Sequence, residues 1–258
     1  MSLQKGISLT SIACVLTACG GGGGGGGDTS APPAPLTVVD ELHGGIWSGT
    51  TTGSQGGGTQ DLIGVSTDDG RFRFLSLDTG GQFIGTSTVD GTSITGSGIG
   101  YAPIGYAWID GSVYTDVTLS GTINERSTFS GNWAASTGET GTFNFAYESL
   151  HQRDSSLGLV ADTWISFNDS GNPIGTVSID AAGRLDGQDA AGCLYSGTVS
   201  IIDANYNVYD LSLSVLNCSS ANGDYSGLGI LTDNVNQNDT FVYTVDKGTF
   251  AFSAVIFR

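Results

Sequence analysis

The chain has 258 residues, 42 of them glycine, with 8 Lys plus Arg against 25 Asp plus Glu and a formal net charge of −17. Such a surface repels phosphate and anionic headgroups, which argues against nucleic acid as a partner and leaves a cationic protein, a metal ion or a neutral sugar open. The acidic surplus also serves simply to keep a protein soluble. Abundant Gly, Ser, Thr and Asp resemble a disordered composition, but hydrophobic residues at 38% are enough for a folded core, so glycine and aspartate are expected in turns.

Residues 1–18 carry one cation, Lys5, and a short apolar run, Ile7 to Leu16, that ends in small residues. The run is too short to span a bilayer and has the form of a secretory signal. Its end, Leu16-Thr17-Ala18-Cys19, resembles the lipobox of bacterial lipoproteins. That resemblance implies cleavage before Cys19, a diacylglyceryl thioether on the Cys19 sulfur and an acyl chain on the new amino group. Each buried methylene contributes about 0.8 kcal/mol, so two or three acyl chains give lasting membrane attachment where one is marginal. In Gram-negative lipoproteins an Asp after the lipidated Cys favours the inner membrane; Gly20 stands there, which implies the outer membrane. Loss of residues 1–18 removes Lys5, leaving seven cations against 25 anions, a net charge of −18.

Residues 19–40 hold eight consecutive glycines, Gly20 to Gly27, then Ala31-Pro32-Pro33-Ala34-Pro35, with too few aliphatic side chains for a core. This composition reads as a tether. A Gly-rich chain of this length has an r.m.s. reach of roughly 25 Å, and the prolines stiffen its distal part.

From Leu36 onward no helical periodicity persists and apolar residues recur at every second position. Val117 and Leu119 alternate with Thr118 and Ser120; Tyr209, Leu211, Leu213 and Val215 alternate with Asp210, Ser212 and Ser214. These are half-buried antiparallel strands. Asp69-Gly70, Asp90-Gly91 and Asp110-Gly111, with Asp78-Thr79-Gly80-Gly81 between the first two, supply the positive φ that tight turns need. Within this meander Gly96 to Gly111 places Tyr101, Tyr106 and Trp108 among glycines and Pro103. Aromatics on such a loop either stack on a sugar or a partner protein, or fold back to plug one end of the domain.

The body also reads as a duplication. Gly45-Ile46-Trp47 matches Asp162-Thr163-Trp164, and Ile63-Gly64-Val65-Ser66 matches Ile174-Gly175-Thr176-Val177-Ser178. Asp116 to Ser120 matches Asp210 to Ser214, Phe129-Ser130-Gly131 matches Tyr225-Ser226-Gly227, and Gly141 to Phe145 matches Gly248 to Phe252. The polar run His151 to Ser156 separates the copies, so residues 41–150 and 151–258 are the expected domains. The expected fold is therefore all-β: two tandem antiparallel meander units, each an eight-stranded barrel, with a β-sandwich as the alternative. Gly45-Ile46-Trp47 resembles the opening of lipocalin-like and avidin-like barrels, a match of three residues from which Asp162 departs. A barrel behind a lipidated Cys and a Gly-rich tether resembles, in layout, the surface lipoproteins related to transferrin-binding protein B. Neither resemblance assigns ligand residues here.

Of the four cysteines, Cys14 leaves with the signal and Cys19 takes lipid, so Cys193 and Cys218 remain as an even pair, read as one disulfide. The run Asp233 to Asp239 offers alternating oxygen ligands but lacks the Gly and terminal Glu of an EF-hand loop, so it is read as a polar hairpin and no metal is expected. His43 and His151 occupy positions where side chains are usually solvated, and no nucleophile elbow or paired-carboxylate pattern accompanies them. No catalytic residue and no cofactor are expected. The sequence thus points first to an outer-membrane lipoprotein, attached through Cys19, whose two non-catalytic β-domains bind a protein or glycan. A carrier of a small apolar ligand inside a barrel and an envelope hydrolase are the alternatives.

Overall fold

The computed structural model describes residues 43–54, 58–103, 105–168 and 170–258. The signal, Cys19 and the tether expected over 19–40 lie outside the described residues. Among the described residues, sixteen strands form two closed barrels of eight, each with neighbour-to-neighbour antiparallel pairing, so the barrel is realised and the sandwich is not. The first comprises β1 (Gly45–Gly53), β2 (Thr59–Ser66), β3 (Arg71–Ser76), β4 (Gln82–Asp90), β5 (Ser93–Tyr101), β6 (Tyr114–Asn124), β7 (Thr128–Ala135) and β8 (Thr140–Tyr147). The second comprises β9 (Asp162–Phe167), β10 (Pro173–Ile179), β11 (Arg184–Asp189), β12 (Leu194–Ile201), β13 (Tyr209–Leu216), β14 (Gly223–Thr232), β15 (Thr240–Asp246) and β16 (Ala251–Phe257). A short 3-10 turn (Ser149–Gln152) and one helical turn, α1 (Leu157–Val160), join them.

The alternation read from the sequence places one face of every strand inward. In the first barrel the interior is aromatic: Trp47, Phe72, Phe74, Phe129, Phe143 and Phe145 pack with Leu62, Ile94 and Ile123. Phe74 stacks on Phe145 at 4.8 Å between ring centres. The second interior is mainly aliphatic around Trp164, Tyr209, Phe241 and Tyr243. The large rings of the first barrel fit because glycine faces them. A Cβ on Gly64 would lie 2.1 Å from the Phe74 ring, and one on Gly98 would lie 2.7 Å from the Gly85 Cα on the neighbouring strand. The expectation that glycine belongs to turns is therefore incomplete. Gly70, Gly80 and Gly91 do turn with positive φ, but a second set lines the barrel wall.

Both halves have eight strands in the same order, and three of the five phrases matched in the sequence fall on corresponding strands while two do not. Order in the barrels pairs β5 with β13 and β6 with β14, so the matches of Asp116–Ser120 to β13 and of Phe129–Gly131 to β14 are each out by one strand. β6 and β13 both alternate Leu and Val with Ser, Thr and Asp, so phrase matching alone does not say which strand answers which.

The two barrels close unequally. β1 pairs with β8 over seven positions, Trp47–Tyr147 to Gly53–Gly141, whereas β9 meets β16 only at Ser166–Ile256 and Ile165–Phe257. β9 ends at Phe167, and among the described residues Ala251 to Ala254 have no strand on that side.

Outward-facing residues join the barrels. Ile46 and Val65 pack on Val208, Leu228 and Ile230, with Ile63, Leu150 and Val242 at the margin. Arg73 and Asp246 form an ion pair at 2.8 Å with side chains only 10% and 17% exposed. The Tyr101 hydroxyl donates to the Gly248 carbonyl at 3.0 Å. His151 departs from expectation: it is 4% exposed, its Nδ1 lies 2.9 Å from the Tyr147 hydroxyl, and its ring stacks on Tyr206 at 4.5 Å. Burial pushes its pKa down to about 4.

Candidate functional site

At one end of the first barrel the β5–β6 connection runs over residues 102–113, longer than any other turn at that end. Its shape follows from its turn residues. Gly105 and Gly111 take positive φ, the Asp110 carboxylate accepts from Ser112 N at 2.9 Å, and Gly111 N donates to the Trp108 carbonyl at 2.8 Å. Ala102 N to Val113 O at 2.9 Å closes its base. Glu139, on the β7–β8 turn opposite, accepts from Ile109 N at 2.7 Å and from the Thr137 hydroxyl, fastening the loop across the mouth.

The structure separates the three aromatics singled out from sequence. Tyr101 is the last residue of β5, 7% exposed, with its hydroxyl turned to the second barrel. Trp108 folds back over the mouth. Its Nε1 donates to the Gly100 carbonyl at 3.1 Å, and its ring stands edge-on to Phe83 at 6.5 Å and Trp133 at 6.3 Å. Gly100 makes room for it, since a Cβ there would lie 2.6 Å from the indole. Tyr106, 66% exposed, forms no ring pair with these rings among the described residues.

Plug and platform are thus combined. Above the packed rings lies an open cup of about 410 Å3, within the 300–1,000 Å3 typical of small-molecule sites. Phe83, Tyr106, Trp108, Ile109 and Trp133 supply its apolar wall, and Thr51, Ser54, Gln60, Thr79, Glu139 and Thr140 its polar rim. Phe83, Trp133 and Glu139 escaped the sequence reading. Trp133 is in phase with the core face of its strand, so nothing local marks it as the residue at the open end; only the pairing of β7 with β6 and β8 puts it there. Beneath the rings the interior leaves about 40 Å3, room for about two or three waters.

The corresponding end of the second barrel is built differently. Its β13–β14 connection is short, residues 217–222, and Cys193 and Cys218 form a disulfide there with Cα atoms 4.9 Å apart. The Lys247 ammonium lies over Tyr225 and Phe250 at the same end. The Asp189 carboxylate comes near the sulfurs, but it already accepts from Ala191 N, Cys193 N and the Tyr195 hydroxyl. In the Asp233–Asp239 loop the Asp239 carboxylate accepts from the backbone N–H of Asn234, Val235 and Asn236, which holds its pKa down at about 2. Asp233 is bound by Arg153 at 2.6 Å. These carboxylates shape the hairpin and have their oxygens committed to it.

No family model, curated protein or solved structure matches the chain. What fold and site define is a tandem pair of eight-stranded antiparallel barrels, one of them carrying an aromatic cup at its mouth.

Proposed function

We propose that the chain is an exported lipoprotein, attached to the outer membrane through lipid on Cys19, and that it binds a protein or glycan partner at the mouth of its first barrel. The observation that carries the binding reading is the cup, where a loop fastened by Glu139 and a Trp108 bonded to the Gly100 carbonyl set partly exposed aromatic rings around a concave space. Aromatic side chains are the commonest anchors of recognition because they bury large area with few rotors to freeze. The lipobox, Gly20 and the glycine run support the anchoring half. The reach of the tether allows the barrels to reorient above the lipid. The filled interior gives the carrier reading no support.

Two measurements test this. Radiolabelled palmitate fed to cells is expected in the protein and lost on Cys19→Ser; label retained by the variant overturns the anchor. Envelope extract passed over immobilised protein is expected to leave material bound that Tyr106→Ala with Trp108→Ala no longer holds, and unchanged capture overturns the cup.

A further inference from the structure

The chemistry of the cup narrows what it takes. Among the described residues lining it there is no Lys, Arg or His, and the one charged side chain there, Glu139, has both carboxylate oxygens engaged by Ile109 N and Thr137. An anion would therefore find no counter-charge, in a chain of net charge −17 that repels it already. A peptide needs partners for its backbone N–H and C=O groups, usually the free edge of a sheet. The first barrel offers none beside the cup, since all eight of its strands, the β1–β8 seam included, are paired on both sides.

What the cup does offer is ring faces and hydroxyls. The indole N–H groups are spent internally, Trp108 on the Gly100 carbonyl and Trp133 on Thr51 Oγ1 at 2.9 Å, so the indoles present apolar surface with negative π faces. Around them, Ser54 and Thr140 share one hydrogen bond at 2.8 Å, which leaves one of the two hydroxyl hydrogens free to donate outward. Gln60 accepts from Thr79 through its oxygen, and its amide nitrogen has no acceptor among the described residues. Apolar C–H faces beside many neutral hydroxyls are the surface of a pyranose ring.

We propose, building on the reading of the cup as the binding site, that its ligand is a neutral saccharide, with one pyranose ring laid against Tyr106 and the Trp108–Trp133 corner and its hydroxyls bonded to the rim. The C–H edge of the sugar meets the negative ring faces, and Gln60, Ser54 and Thr140 supply the directional bonds.

The test titrates the full chain with neutral di- to tetrasaccharides of α- and β-linked glucose, galactose, mannose and N-acetylhexosamine. Tryptophan fluorescence and NMR saturation transfer report binding, with oligogalacturonate and a Lys-rich peptide as comparison probes. At least one neutral saccharide is expected to quench the fluorescence and receive saturation at its ring protons, while the two charged probes do neither. Tyr106→Ala, at an exposed side chain whose loss leaves the fold alone, is expected to raise the dissociation constant about fivefold, as stacking on one aromatic ring requires. Gln60→Leu is expected to weaken binding with unchanged circular dichroism. Tyr106-dependent binding of the peptide or the acidic oligomer, with no neutral saccharide bound, overturns the saccharide assignment and leaves the cup as a binding site. Absence of Tyr106-dependent binding by every probe overturns both.

Discussion

Acidification from pH 7.5 to 4.5 is expected to loosen the joint between the barrels through one side chain. His151 is held neutral between Tyr147 and Tyr206, and its pKa falls from 6.5 to about 4 on folding because burial disfavours the charged ring. Asp68 and Asp203 pull the other way and Arg126 adds to the depression. A histidine depressed in the folded state is protonated more readily in the unfolded chain, so between these two values the unfolded state binds more protons and stability falls as pH falls. At 1.36 kcal/mol per pKa unit, the loss from pH 7.5 to 4.5 is roughly 2.5 kcal/mol. Asp239, with its pKa near 2, remains ionised throughout and adds little. Urea unfolding at several pH values, for the native protein and for His151→Gln, isolates this contribution as the difference in pH slope. The glutamine variant is expected to be flatter by about that amount whatever its absolute stability. Equal slopes in the two proteins would refute the account of His151 as a buried neutral group.

Three further outcomes follow from packing and pairing. Asp246→Asn leaves the Arg73 guanidinium buried without its counter-charge and is expected to cost about 3 kcal/mol in urea unfolding, whereas Arg73→Met with Asp246→Leu together costs far less; equal losses would show that the pair contributes nothing specific. Hydrogen exchange at Ala251, Ser253 and Phe167 is expected to be much faster than at Thr142 and Asn144, because β9 and β16 share two paired positions where β1 and β8 share seven, and equal protection would contradict the short seam. Reduction of Cys193–Cys218 is expected to lower stability by about 3 kcal/mol through the chain between the cysteines, 25 residues apart in sequence, while leaving saccharide titration of the first barrel unchanged.

The architecture was legible because its signals are local. Asp-Gly turns at regular spacing and strict alternation in β6 and β13 define short antiparallel neighbours, and a meander of eight such strands has few ways to hide its edges except to close. The duplication was visible in outline, but the degenerate alternation that made strands recognisable also let two of the matched phrases slip by one strand. What sequence could not show depends on distant pairing. Why Gly64 and Gly98 must be glycine shows only once Phe74 and Gly85 are seen opposite them, and His151, in a polar run, is buried only because Tyr147 and Tyr206 arrive from different barrels. The same holds for the cup. The loop aromatics Tyr106 and Trp108 stood out among glycines, whereas Phe83, Trp133 and Glu139 join them only once the barrel has closed.

The central claim is that recognition takes place at the mouth of the first barrel, and hydrogen exchange read with and without envelope extract tests it most directly. Protection is expected in residues 102–113 and in the neighbouring ends of β1, β4 and β7, with the second barrel unchanged. Protection confined to the second barrel, or none anywhere, would contradict it.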